Sequence, residues 1–274
     1  MRDTPPLVLT FAGTDPTGGA GLQADVLSIA SLGCHPLSVV TAVTVQDSVG
    51  VEDFLPMDAD WVVDQARRVL EDMPVAALKV GMLGSVEVAL AVAEVASDYP
   101  ELPLILDPVL ASGRGDELAS EDLLSVIKEA LLPQTTVLTP NSLEARRLAV
   151  DDALDEEAPE LAVCAQRLLD LGCEYILITG SHEHTPEVVN TLYGESGVLQ
   201  TLRWERLPAS FHGSGCTLAS ALAAMLAMGM ALEDAVREAQ EFTYQSLRSA
   251  FRAGMGQAIP DRLYWARTGE DGGS

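Results

Sequence analysis

Short apolar runs, each followed by a stretch of helical length, recur along this chain of 274 residues, and that alternation limits its fold more than any single motif. The runs are Leu7–Thr10, Ser38–Val45, Ala77–Val80, Leu104–Asp107, Thr136–Thr139 and Tyr175–Thr179. Between them the apolar spacing predicts helices over 21–32, 59–72, 85–97, 120–131, 142–149 and 159–171. Strand–helix alternation of this kind builds a mainly parallel sheet with helices on both faces, an α/β fold. Val188–Tyr193 and Leu199–Glu205 then read as a hairpin turning over 194–197, and two helices over 214–228 and 232–252 close the chain. Neither a linker nor an internal repeat interrupts the pattern, so we expect one domain over 1–268 and a tail without fixed structure over 269–274.

Composition narrows the function. Hydrophobic residues make up 48% and charged residues 21%, ample material for a core. No apolar run reaches the roughly 18 residues of a membrane span, and Met1-Arg2-Asp3-Thr4-Pro5-Pro6 leads straight into a strand-like segment without a signal-peptide pattern. Four cysteines, Cys34, Cys164, Cys173 and Cys216, form no CxxC pair, which argues against a zinc site or a disulfide scaffold. The expectation is a soluble, cytoplasmic protein. Acidic residues number 41 against 16 basic ones, a formal charge of −25. That field repels nucleic-acid backbones and anionic lipid, so neither is an expected partner. Only Lys79 and Lys128 are lysines, and no Walker-type phosphate loop occurs. An anionic substrate would have to be held by helix N-termini, a metal ion and a few placed bases.

In parallel sheets ligands bind at the carboxyl ends of the strands, and here those ends carry the chemistry. His212-Gly213-Ser214-Gly215-Cys216-Thr217 opens a small-residue helix whose first amides are free, an anion site that needs no lysine. Cys216 falls in its first turn, where the helix field favours a thiolate; a buried cysteine beside a plain turn is the competing reading. Ala12-Gly13-Thr14-Asp15 follows the first run, and Gly19 to Ala24 fits a loose GxGxxA dinucleotide fingerprint with Asp47 as its ribose acid. Those glycines start too far after Gly13 for a tight pyrophosphate turn, and a loop covering a small substrate, with Asp25 on the next helix facing the pocket, fits better. Asp107 at a strand end suits magnesium or ligand, and Asn141-Ser142-Leu143-Glu144 reads as a capping box that joins the same edge. Lys79 ends an apolar strand and needs a carboxylate, so a structural ion pair is expected. His212 is as suited to fixing its loop as to chemistry.

Taken together these segments, with Val40-Thr41-Ala42-Val43-Thr44-Val45-Gln46-Asp47, Lys79-Val80-Gly81-Met82-Leu83, Asp107-Pro108-Val109 and Thr139-Pro140-Asn141, resemble the hydroxymethylpyrimidine and phosphomethylpyrimidine kinases of thiamine biosynthesis. These belong to the ribokinase-like superfamily, and the resemblance covers essentially the whole chain. It implies a three-layer α/β/α sandwich, ATP and Mg²⁺, and phosphorylation of 4-amino-5-hydroxymethyl-2-methylpyrimidine and then of its monophosphate. Carried over by motif, Gln46 would bind the aminopyrimidine edge, Asp25 and Gly13 would help hold the substrate, and Met82 and Val109 would line its apolar pocket. Asp107, Asn141 and Glu144 would serve the phosphate region, with Asp107 and Glu144 at the metal and Thr179 and Arg114 on the nucleotide side. Gly213 and Gly215 would form the anion hole and Cys216 would be the base. Homodimers are common in the superfamily. Two family lysines are absent, at Gly113 and Thr179, which bears more on the second phosphorylation than on the first. The competing functions are a pyridoxal kinase of the same fold, a nicotinamide-dependent oxidoreductase, and a pyrimidine sensor without turnover.

Overall fold

The computed structural model describes residues 4–111, 115, 118–150 and 159–267. A single nine-stranded sheet runs through them in the order β3-β2-β1-β4-β5-β6-β7-β8-β9. Its centre is parallel: β1 (Leu7–Thr14), β2 (His35–Gln46), β4 (Val75–Val80), β5 (Leu104–Leu106), β6 (Val137–Leu138) and β7 (Tyr175–Ile178). Antiparallel strands close both sides, β3 (Val51–Pro56) on β2, and the hairpin β8 (Glu187–Gly194) and β9 (Gly197–Glu205) on β7.

The pleat divides the core into two layers. Leu7, Leu9 and Phe11 of β1 join Leu78, Leu106 and Ile178 under α2 (Ala59–Asp72), α3 (Val86–Ser97), α4 (Glu121–Val126), α5 (Ser142–Ala149) and α6 (Leu161–Asp170). On the other face Val8, Ala77, Ile105 and Leu177 pack under α1 (Gly21–Ser31), α7 (Ser214–Ala227) and α8 (Leu232–Arg248). Helix α7 is buried from Thr217 to Met225, and its alanine-rich sequence lets it lie flat against the sheet centre. This is the α/β/α sandwich expected from the sequence.

Differences from expectation are local. Strand β3 carries exposed Glu52, Asp53 and Leu55, so it lacks the fully apolar signature of the central strands. The helix expected over 120–131 is α-helical only to Val126 and finishes as a wider turn over Ile127–Leu131, ahead of Pro133. The last long helix stops at Arg248 rather than 252, and a short α9 (Tyr264–Arg267) follows. Strand β1 runs on to Thr14, with a bulge between Ala12 and Gly13. Among the described residues no helix is long and apolar enough to cross a membrane. Residue 268 and the expected tail over 269–274 lie outside the described residues.

Candidate active site

A cleft of about 200 Å³ opens at the carboxyl ends of the parallel strands, where backbone N–H groups, helix starts and strand-end side chains converge. Gly13, Gln46, Met82 and Val109 line one wall. Asp107, Asn141, Glu144 and Thr179 line the floor and far side, and Gly213, Gly215 and Cys216 close it from α7. Arg114 falls outside the described residues.

Gly213 shapes the α7 wall. It is the helix N-cap with φ +82, and no side chain caps it. A Cβ there would stand 2.0 Å from the Gly19 carbonyl oxygen, so only glycine fits against the 15–20 loop. The first-turn amides of α7 are thus left to the cleft with the positive end of its dipole. A Cβ on Gly215 would lie 3.6 Å from Asp107 Oδ1, which places that carboxylate opposite the helix start.

Asp107 follows β5 and is 4% exposed, and its Oδ2 is buried without a hydrogen-bond partner. Burial pushes its carboxyl up to about 6; Lys79 and a hydrogen bond with the Cys216 side chain pull it down, and Asp25 pushes it further up. Glu144 is pushed up to about 8, by burial first and then by Asp107. It also completes the predicted capping box: Asn141 N donates to Glu144 Oε2 at 2.9 Å, and Asn141 Oδ1 accepts from Leu143 and Glu144. So Asn141 fixes the start of α5 and thereby aims Glu144 at Asp107. Among the described residues no group of three or more His, Cys, Asp or Glu side chains forms a metal cage.

Two sequence expectations are corrected. Asp25 does not face the cleft. It is fully buried and paired to Lys79, whose Nζ donates to both carboxylate oxygens at 2.9 and 3.0 Å, with Thr10 and Ser220 hydroxyls donating at 2.6 and 2.7 Å. The ion pair expected for Lys79 exists, and it takes up the carboxylate that was expected to face the ligand. Burial opposes the Lys79 charge, but Asp25, Cys216 and Asp107 outweigh it and hold its pKa above the ordinary lysine value. Nor do its surroundings favour a Cys216 thiolate. Burial pushes its thiol up to about 12, Asp107 and Asp25 add to this, and Lys79 only partly offsets it. The helix field alone, which suggested a lowered value, is outweighed by loss of water and two neighbouring acids.

The 15–20 loop is a closed structure rather than a dinucleotide turn. Asp15 accepts from Thr17 N at 2.8 Å, from Ala20 N at 2.6 Å and from His212 Nε2 at 2.8 Å. His212 therefore ties its loop to β1. Burial opposes the Asp15 charge, but these donors hold its carboxyl below the usual range. Gln46 Nε2 donates to Thr44 Oγ1 at 2.7 Å, which steers the side chain at the end of β2. Sequence reading missed Arg262, a 3% exposed side chain that donates to Gly19 and Gly213 carbonyls behind the α7 turn. Its neighbours Pro260-Asp261 carry no motif that could have marked it.

A parallel sheet sandwiched by helices, with an open helix start facing a buried carboxylate at the strand ends, defines a ribokinase-like phosphotransferase. Pyridoxal kinase of Bacillus subtilis, solved as an ADP complex, superposes with a TM-score of 0.85 at 26% identity, covering 96% of this chain and 99% of that one. Phosphomethylpyrimidine kinase of Clostridium difficile gives 0.76 at 29% identity, over 88% and 99%. A hydroxymethylpyrimidine/phosphomethylpyrimidine kinase of Mycobacterium tuberculosis is 40% identical over 95% of both chains. Within the ribokinase-like class this chain belongs to the phosphomethylpyrimidine kinase family, whose model matches residues 15–261. It is an ATP-dependent kinase.

Proposed function

We propose that this kinase transfers the γ-phosphoryl group of ATP to the hydroxymethyl oxygen of 4-amino-5-hydroxymethyl-2-methylpyrimidine, and then phosphorylates the monophosphate to the diphosphate, in thiamine biosynthesis. The observation that carries the reading is the uncapped start of α7 at Gly213, set across the cleft from Asp107. Preorganised amides there meet the charge that develops on the transferred phosphoryl oxygens, and Gly215 keeps that approach clear. On the opposite wall Gln46 has Nε2 engaged by Thr44, leaving Oε1 to accept from the exocyclic amino group. Gly13 leaves room for the ring beside the Met82 sulfur, 3.2 Å from where a Cβ would stand, and Val109 continues the apolar surface.

The residues fit a magnesium ion: Asp107 has an orphaned buried oxygen, and the Glu144 carboxyl is pushed up by burial and by Asp107, both of which a cation would offset. Asp107 and Glu144 would hold such an ion, which would supply positive charge against the charge of the ATP phosphates. Thr179, at the end of β7, and Arg114 are assigned to the nucleotide phosphates; Asn141 holds Glu144 in place. Cys216 takes the hydroxymethyl proton. It must do so as thiolate, which its raised pKa disfavours at neutral pH, so turnover should climb with pH.

The enzyme is assigned to the cytoplasm, as a homodimer of single-domain subunits over 1–268. Exposed Val43, Val45 and Leu55 on the outer face of β2 and β3 support a covered surface there. Pyridoxal is the second substrate to consider, on the strength of the pyridoxal kinase likeness along nearly the whole chain.

The test is product analysis with ATP, Mg²⁺ and the hydroxymethylpyrimidine, with pyridoxal in parallel. Monophosphate followed by diphosphate is the expected result, lost in Cys216→Ala. Monophosphate alone would mean that the absent family lysines have cost the second step. Turnover of pyridoxal alone would overturn the assignment.

A further inference from the structure

Among the described residues no carboxylate lies within ion-pair distance of the Arg262 guanidinium. It is 3% exposed, and among the described residues every hydrogen bond it makes goes to a neutral oxygen. Nε donates to Thr217 Oγ1 at 3.0 Å and Nη2 to the Gly19 carbonyl at 2.6 Å. Longer contacts, both 3.4 Å, reach the carbonyls of Gly213 and Gly18. Thr217 Oγ1 in turn donates to the Gly213 carbonyl at 2.7 Å. The planar fork therefore joins the substrate-covering loop to the first turn of α7, at the point where Gly213 packs against Gly19 with no room for a Cβ.

The arginine is itself anchored. Its carbonyl accepts from Ser31 Oγ at 2.6 Å at the end of α1, and Asp261 N donates to the Ser246 carbonyl at the end of α8. A buried charge is costly unless paired or solvated; burial draws the Arg262 pKa below its ordinary value, and the nearby Cys216, Asp25 and Asp15 only partly offset this. This buried charge stands behind the uncapped amides of α7.

We propose that Arg262 is the positioning residue of the anion hole: its fork holds the Gly213 turn against the 15–20 loop, and its charge adds to the field that the α7 amides present to the transferred phosphoryl group. The inference rests on the reading of α7 as the phosphoryl site. A planar fork and a positive charge are both used, so lysine can replace only the second. The effect belongs to the transition state, where negative charge is in motion, more than to the ground-state grip on either substrate.

The experiment compares wild type with Arg262→Lys, Arg262→Met and Thr217→Val, each checked for folding by circular dichroism. Thr217→Val keeps the guanidinium and removes one of its partners, so it reports even if Arg262→Met does not fold. Two readouts are taken: kcat and KM for ATP and pyrimidine, and the affinity of ADP with and without aluminium fluoride, a mimic of the phosphoryl in flight. We expect Arg262→Met to lose about 100-fold in kcat with both KM values within about threefold, and to lose most of the extra affinity that aluminium fluoride confers on ADP. Arg262→Lys and Thr217→Val should fall between, near tenfold. An unchanged kcat, or a loss that falls equally on plain ADP binding, overturns the assignment. If wild type neither turns over nor gains affinity from aluminium fluoride, the failure lies in the functional reading itself, and this inference falls with it.

Discussion

Lys79→Met tests the buried centre of the molecule. The methionine is close in length to lysine, so volume changes little, but it strips the ammonium from Asp25. Both side chains have no exposed surface, and the two contacts are 2.9 and 3.0 Å. Asp25 would keep the Thr10 and Ser220 hydroxyls but lose its directly bonded cation, with only the more distant Arg262 charge to offset it. Breaking a buried pair from one side costs about 3–5 kcal/mol, a large share of the roughly 5–15 kcal/mol that holds a domain together. For a domain of this size each kcal/mol moves Tm by about 2–4 °C, so the expected fall is about 6–20 °C. Asp25→Asn/Lys79→Met removes both charges and should recover all but about 1–2 kcal/mol, because a neutral pair of similar volume avoids the desolvation penalty. Urea unfolding of wild type, both single variants and the double variant, with the slope m checked for constancy, gives the coupling energy. A loss below about 1 kcal/mol in Lys79→Met, or a double variant less stable than Lys79→Met, would refute the reasoning.

Three further outcomes follow from the cleft. Glu144 has its folded pKa raised from 4.5 to about 8, so its contribution to stability is full below 4.5 and is lost as pH rises through 8. Wild type should therefore lose Tm between those limits, by an amount equivalent to a few kcal/mol, while Glu144→Gln stays flatter and Mg²⁺ flattens the wild-type curve; parallel curves for the two proteins would contradict this. Gly213→Ala puts a side chain at φ +82 and a Cβ 2.0 Å from a carbonyl oxygen, costing about 1–2 kcal/mol in conformation alone and more in displaced backbone. Its kcat should fall at least about tenfold as the α7 amides are moved, which steady-state kinetics reads. With its thiol near 12, Cys216 should react slowly with iodoacetamide at pH 7 and faster as pH rises; fast alkylation at pH 7 would show an activated thiolate after all.

Much of the site was legible before the fold was known, because the residues that carry it sit directly after strands. Asp107 and Thr179 directly follow strands, Gln46 ends one, and Gly213 and Cys216 lie at the start of α7, and parallel topology alone brings strand ends to one edge. The Asn141–Glu144 capping box was equally local, since its donors and acceptors lie within one helical turn. Strand β3 escaped notice because it pairs at the rim and leaves Leu55, Glu52 and Asp53 exposed, so no apolar signature marks it.

Sequence by itself determined the layered α/β fold and the sheet edge that gathers the strand-end residues, since both depend on local periodicity and topology. Tertiary structure decided how charge is shared. Asp25 turned from the cleft to Lys79, Cys216 was left a neutral thiol between Asp107 and that pair, and Arg262 came from near the far end of the chain to stand behind Gly213. Electrostatic energies depend on distance through space and on the water excluded between groups, and neither is written in the spacing of residues along a chain.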